Sequence, residues 1–276
     1  MAKLALCIGI NNYPGTYMDL DGCVNDANDW AQMLTSRGFA VTLLLDAQAT
    51  KAGMVAAFQR IIGDAVDGDV VVITYSGHGT YQHDTDGDEA DGIDEALCPY
   101  DVQTHDAALI DDEIHALFGA RKDGVHLVLI SDSCHSGTVN RDAPQPGVVI
   151  RPRFLPLANW MSAHHLFTQT SKLPDPATTV RIGESAFAGG DVDFGDVLLA
   201  GCEEGDNHFS YDGKMAGRPN GAFTYHALQV LKTLPEAATY ADWHAALTPA
   251  RLPTDDYPQT PQLVGNAEAR GRRIFS

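Results

Sequence analysis

The chain alternates short apolar runs with stretches whose apolar residues recur at helical spacing. Residues 4–10 are almost wholly apolar and end in Asn11, Asn12, Pro14 and Gly15, the pattern of a buried strand closed by a turn. Residues 25–37 place Ala27, Trp30, Ala31 and Leu34 on one helical face and stop at Gly38. Residues 40–45 predict a second strand. Residues 51–64 predict a second helix, with Met54, Val55, Phe58, Ile61 and Ile62 together. The runs at 69–75 and 125–131 are rich in β-branched and aliphatic residues, as in central strands covered on both faces. A further strand is expected at 197–201, and helices at 110–118, 222–234 and 240–247. Alternating β and α elements predict an α/β fold, a mostly parallel sheet flanked by helices on both faces. Ligands of such sheets bind beyond the carboxyl ends of the strands.

One stretch breaks the rhythm. Residues 143–190 carry six prolines and no convincing strand, and read as an insertion in a single 1–276 domain. This insertion contains Arg151, Arg153, Lys172 and Arg181.

The chain has 18 basic and 37 acidic side chains, a formal charge of -19. That field opposes nucleic acid and anionic membrane surfaces, and no basic run offsets it. No apolar stretch is long enough for a membrane span, and the N-terminus lacks the long apolar core and cleavage site of a signal peptide. Five scattered cysteines without a CxxC pair fit a reducing compartment, so the expected location is cytoplasmic. Residues 84–95 include seven acids, usually the mark of a solvated loop. An EF-hand reading from Asp84 fails, because Glu89 stands where the loop needs glycine.

Reactive side chains follow two of the central strands. After the third comes Tyr75-Ser76-Gly77-His78-Gly79, and after the fourth Ser131-Asp132-Ser133-Cys134-His135-Ser136-Gly137. An isolated cysteine is most often a packed thiol, but here each half of a thiol–imidazole dyad sits at a small-residue-rich strand end. Imidazole can take the thiol's proton, and glycines admit a substrate carbonyl close to main-chain N–H groups. Asp132 and Cys134 are two residues apart, which puts them on one side of an extended segment.

The pair SGHG and DSCHSG, 56 residues from histidine to cysteine, resembles the caspase-like cysteine peptidases of the metacaspase and orthocaspase type. Ile8-Gly9-Ile10-Asn11, Gly22-Cys23-Val24-Asn25-Asp26-Ala27, Ile110-Asp111-Asp112-Glu113 and Leu199-Ala200-Gly201-Cys202 extend the likeness, which covers 1–142 closely and skips 143–190. The resemblance implies the caspase-hemoglobinase fold and a cysteine endopeptidase. Cys134 would be the nucleophile, His78 the acid/base, and the N–H groups of Gly79 and Cys134 the oxyanion hole. No third orienting residue is implied. It implies an acidic pocket of Asp26, Ser76 and Asp132 that selects Arg or Lys in protein or peptide substrates. It also implies calcium held by Asp94, Asp111 and Asp112, with Asp142 as a displaced fourth ligand, and self-cleavage at a basic residue of the insertion. The chain reads as a monomer, with a regulatory partner left open. Two alternatives stand beside the protease: an effector silent until a partner or ligand acts on it, and a catalytically silent interaction domain.

Overall fold

The computed structural model describes residues 1–84, 92–105, 107–134, 150–170, 197–202 and 209–276. In chain order the strands are β1 (Lys3–Gly9), β2 (Ala40–Leu45), β3 (Val70–Ser76), β4 (Gly79–His83), β5 (Ile93–Leu97), β6 (Leu109–Ile110), β7 (His126–Asp132), β8 (Arg151–Pro152), β9 (Val197–Ala200), β10 (Tyr211–Met215), β11 (Arg218–Gly221) and β12 (Gln262–Val264). The helices are α1 (Cys23–Ser36), α2 (Lys51–Asp64), α3 (Val102–His105), α4 (Asp111–Gly119), α5 (Leu157–Trp160), α6 (Ala163–Thr170), α7 (Ala222–Leu231), α8 (Tyr240–Leu247) and α9 (Ala267–Gly271).

Six strands form the main sheet in the order β12-β9-β7-β3-β1-β2, parallel except for β12, which runs antiparallel to β9. Period-two alternation assigns the strand residues to its faces. Leu6, Ile8, Val71 and Ile73 pack with Met54 and Phe58 of α2 and Ile114 of α4. Ala5, Cys7, Val70 and Val72 pack with Trp30 and Leu34 of α1, Phe223 of α7 and Trp243 of α8. Helices therefore cover both faces. The parallel strands are buried through their length at β3 and β7, which explains their lack of polar alternation.

Local signals set the element ends. Thr50 caps α2 by accepting from Gly53 N–H at 3.0 Å. Gly38 follows α1 at φ +85°, a conformation that side chains resist. At Gly9 the need is for space: a Cβ there would collide with the Cys23 carbonyl. That close approach lets the first turn of α1 lie against the end of β1, and so delivers Asp26 to the crevice.

Two smaller sheets lie beyond the strand ends. One is antiparallel, β4-β5-β6, and begins at Gly79 directly after His78. The other joins β8 to the β10–β11 hairpin. The strand β8 corrects the reading of 143–190 as strandless. Two residues, one of them Pro152, carry no periodicity, and their partners are Tyr211 and Asp212, far along the chain. Helix α7 also ends at Leu231 rather than 234. Among the described residues, no helix is long and apolar enough to cross a membrane.

Candidate active site

Strands β3 and β7 are neighbours, with Ser76 opposite Asp132. That register brings the two reactive strand ends side by side. The main chain around His78 is clamped. Its N–H donates to the Tyr13 hydroxyl at 2.8 Å, and its carbonyl accepts from the Tyr75 hydroxyl at 2.7 Å and from Cys98 N–H at 3.0 Å. The imidazole packs against the Tyr13 ring, centroids 4.7 Å apart. Its Nε2 lies 2.6 Å from the Met18 carbonyl, and Nδ1 is buried without a hydrogen-bond partner among the described residues. A carbonyl can only accept, so Nε2 carries the hydrogen in the neutral ring and Nδ1 is the free base. Burial, opposed by the Met18 main chain and aided by the Arg153 guanidinium, lowers the His78 pKa to about 4, with Asp212 and the Arg153 main chain pulling the other way.

Arg153 occupies the crevice beside this pair, and its side chain is fully buried. One guanidinium meets three carboxylates: Asp26 at 2.5 Å, Asp132 at 3.1 Å and Asp212 at 3.0 Å. Each acid has further donors. Asp26 accepts from the Asn220 amide at 2.9 Å and Gly221 N–H at 3.0 Å. Asp132 accepts from the Ser210 hydroxyl and from Thr224 N–H and Oγ1, at 3.0 and 2.7 Å. Asp212 accepts from Gly22 N–H at 3.0 Å and Asp21 N–H at 2.9 Å. Burial opposes the arginine's charge, yet the surrounding acids outweigh it and hold its pKa well above the usual range. Burial pushes Asp26 up to about 7 against the pull of Arg153, as expected where three carboxylates share one cation. Gly221 must be glycine here, since a Cβ would meet Asp132 and the guanidinium itself.

The Arg153 main chain is held as specifically as its side chain. Its carbonyl accepts from Gly79 N–H at 2.9 Å and Cys134 N–H at 3.2 Å, while its own N–H donates to the Ser210 carbonyl at 2.8 Å. Preceding residues pair antiparallel with β10. Two N–H groups therefore converge on one peptide carbonyl next to a buried thiol. Cys202 lies against Cys134, and that contact together with burial pushes its thiol pKa well up.

The structure thus brings together Cys134, His78, Gly79, Asp26 and Asp132, with Ser76 at the level of Asp132. Two participants carry no signal in the sequence. Asp212 sits on a hairpin without a recognisable sequence pattern. The Met18 carbonyl is a main-chain acceptor, which no side-chain motif announces. Arg153 was one of four basic candidates. Arg151, by contrast, is half exposed and paired with Asp21 at 2.9 Å; Lys172 and Arg181 lie outside the described residues.

The acids expected to hold calcium lie on the small sheet and the start of α4. Gln82 donates to Asp94 at 3.3 Å, Glu95 N–H to Asp111 at 3.3 Å, and Asp112 N–H to Asp111 at 3.1 Å. Carboxylates are the donors calcium favours. Among the described residues, no three His, Cys, Asp or Glu side chains are grouped to hold a metal. His135, Asp142 and most of the acidic run at 84–95 lie outside the described residues.

The family description "Metacaspase, peptidase C14 domain" matches residues 3–143. Metacaspase-1 of Kluyveromyces lactis is 32% identical over 267 residues, covering 85% of this chain and 60% of the relative. Metacaspase-7 of Arabidopsis thaliana is 39% identical over 155 residues, covering 52% of this chain and 37% of the relative. The chain therefore spans about 60% of the length of the fungal relative. A crystal structure of a Geobacter sulfurreducens protein matches with a TM-score of 0.72 and 33% identity, covering 100% of this chain and 99% of that one. Caspase-1 of Spodoptera frugiperda matches at 0.55 with 10% identity, over 96% and 85% of the two chains, a likeness of fold alone.

Removing the cation from three buried carboxylates should be costly. In a Cys134→Ala background, Arg153→Gln is expected to lower unfolding stability by about 3–5 kcal/mol at neutral pH. The loss should grow as pH rises, because carboxylates left without the guanidinium have raised folded-state pKa values and resist ionisation. Chemical denaturation measures it. A loss under about 1 kcal/mol would mean that the acids are hydrated as readily as a surface ion pair.

Proposed function

The chain belongs to the metacaspase family of peptidases, and from that premise we propose that it is a cysteine endopeptidase cutting after Arg or Lys through Cys134 and His78. The observation that carries this reading is Arg153, whose side chain lies among Asp26, Asp132 and Asp212 and whose carbonyl lies on the N–H groups of Gly79 and Cys134. This is the pose of a substrate. Its scissile bond joins Arg153 to Phe154, so the chain's first substrate is itself.

The chemistry follows from these positions. The Cys134 thiol proton passes to Nδ1 of His78, and the thiolate adds to the Arg153 carbonyl carbon. The oxygen becomes an oxyanion on the two N–H donors, preorganised before charge develops. Collapse breaks the C–N bond while His78 returns the proton to the Phe154 nitrogen, leaving a thioester at Cys134. Water, deprotonated by His78, then releases the Arg153 carboxylate and restores the thiol. The Met18 carbonyl fixes the ring so that Nδ1 remains the basic atom. The acidic pocket supports Arg or Lys at the cleaved position over neutral or acidic residues.

Until Arg153 leaves, the pocket is full. Self-cleavage is therefore also activation, and a partner that draws the 150–170 segment away would achieve the same end. A reducing compartment would keep the Cys134 thiol from oxidation, and none of the five cysteines is in a disulfide. Arg151 is a poor self-cleavage site, since Pro152 follows it and strand pairing turns it toward Asp21.

Three measurements test these points. Incubated protein should yield a fragment beginning at Phe154, identified by mass spectrometry. Cys134→Ala should stay whole, and Asp132→Ala should slow the cut at least about thirtyfold while keeping its fold. A cut elsewhere, or one that survives Cys134→Ala, contradicts the proposal.

The pH profile is the second test. Because the folded-state His78 pKa is depressed from 6.5 to about 4, the basic form persists below the ordinary histidine range. Self-cleavage should fail as pH falls through about 4, not through 6.5. Asp26 is itself pushed up to about 7, so an acidic limb near 6.5 that persists in Asp26→Asn would count against the buried base.

Calcium stimulation is the third. It would need Asp94, Asp111 and Asp112 to be joined by further oxygen ligands. Assays in chelator and in millimolar calcium read it directly, and equal rates remove the metal from the proposal.

A further inference from the structure

The residues after Arg153 are gripped as closely as the arginine. Phe154 is 2% exposed, stacks on Tyr81 with ring centroids 6.0 Å apart and planes 10° apart, and meets Phe209 at 6.5 Å. It shares an apolar cluster with Cys134 and Cys202. Leu155 N–H donates to the Gly79 carbonyl at 2.9 Å, and the Leu155 carbonyl accepts from the Thr80 hydroxyl at 2.8 Å. That hydroxyl accepts in turn from the Trp160 indole at 3.1 Å. Gly79 thus uses both main-chain groups on the segment, its N–H on Arg153 and its carbonyl on Leu155.

Two features mark this as recognition of a substrate strand as well as core packing. β4 is an end strand of its sheet, and Phe154 lies parallel beside Gly79 on that edge, so the segment is held by strand addition. The aromatic slot also opens beside the thiol that forms the acyl-enzyme.

We propose that Tyr81, Phe209 and the wall at Cys202 form a subsite for the residue immediately after the cut, selecting an aromatic side chain, with the substrate backbone added to β4 at Gly79. This rests on the reading of the chain as an Arg/Lys endopeptidase. An acidic residue there would be desolvated and would meet the field of Glu95, which pairs with Tyr81 across β4 and β5 and acts on Cys202. Self-cleavage helps empty the slot. It converts the Phe154 amide into an amine that ionises near neutral pH, and a buried ammonium is unfavourable.

The test uses the self-processed protein and internally quenched peptides that share one Arg cleavage site and differ only in the next residue: Phe, Leu, Ala or Asp. An Arg-coumarin reporter with no following residue runs alongside. The Phe peptide should be cut with kcat/KM at least about tenfold above the Asp peptide. Tyr81→Leu should shrink that ratio, and Phe209→Leu serves if the first variant does not fold. Equal kcat/KM across the peptides overturns the subsite while leaving the Arg/Lys reading standing. So does a wild-type ratio unchanged in a folded variant, or hydrolysis of the reporter without hydrolysis of any peptide. Failure to cut any Arg substrate overturns the underlying reading itself.

Discussion

The structure around the crevice depends on one interaction, the burial of a single guanidinium among three carboxylates. Asp26 comes from the first turn of α1, Asp132 from the end of β7 and Asp212 from β10. Without a cation between them, these acids would repel at close range in a dry site. With Arg153 present they join a helix, a central strand and a hairpin at one point. Buried ion clusters of this kind specify geometry more than they add stability, because desolvation offsets much of the attraction. The geometry they specify is a chain segment laid across the active centre. It runs along β10 before the arginine and along β4 after it.

That coupling explains why pocket and thiol belong together physically. The guanidinium depth sets where the Arg153 carbonyl lies, and the carbonyl lies on two N–H groups, that of Gly79 at the start of β4 and that of Cys134 just past β7. The parallel sheet places those ends in register, Ser76 opposite Asp132. Side-chain recognition thereby positions a peptide bond, the general route by which binding energy becomes orientation. A glycine at 221 is needed where the guanidinium passes close to the wall.

Much of this was legible from the residues. The unbroken apolar runs of β3 and β7 could only be buried strands, and the reactive residues just past them had to meet if the strands were neighbours. Helix α2 matches its predicted bounds because Thr50 caps it and its apolar face is regular. The acids Asp26 and Asp132 were visible through motif and alternation. Less was legible where main-chain groups or distant pairings do the work. The Met18 carbonyl has no side-chain signature. Asp212 is on a hairpin whose two-residue turn, Ala216-Gly217, has φ of 51° and 85°, so only its second position carries the glycine that signals such a bend. Strand β8 exists only because β10 and the acidic pocket hold it, so no local propensity marks it, and Arg153 could not be told from its basic neighbours.

The central claim is that Arg153 is already seated as substrate within its own chain, which makes its cleavage intramolecular. The direct measurement is the half-time of conversion to the fragment beginning at Phe154, followed across an about hundredfold range of protein concentration. A half-time that stays constant on dilution is the expected result. A half-time that lengthens in proportion to dilution would mean that one molecule cuts another, and would contradict the claim.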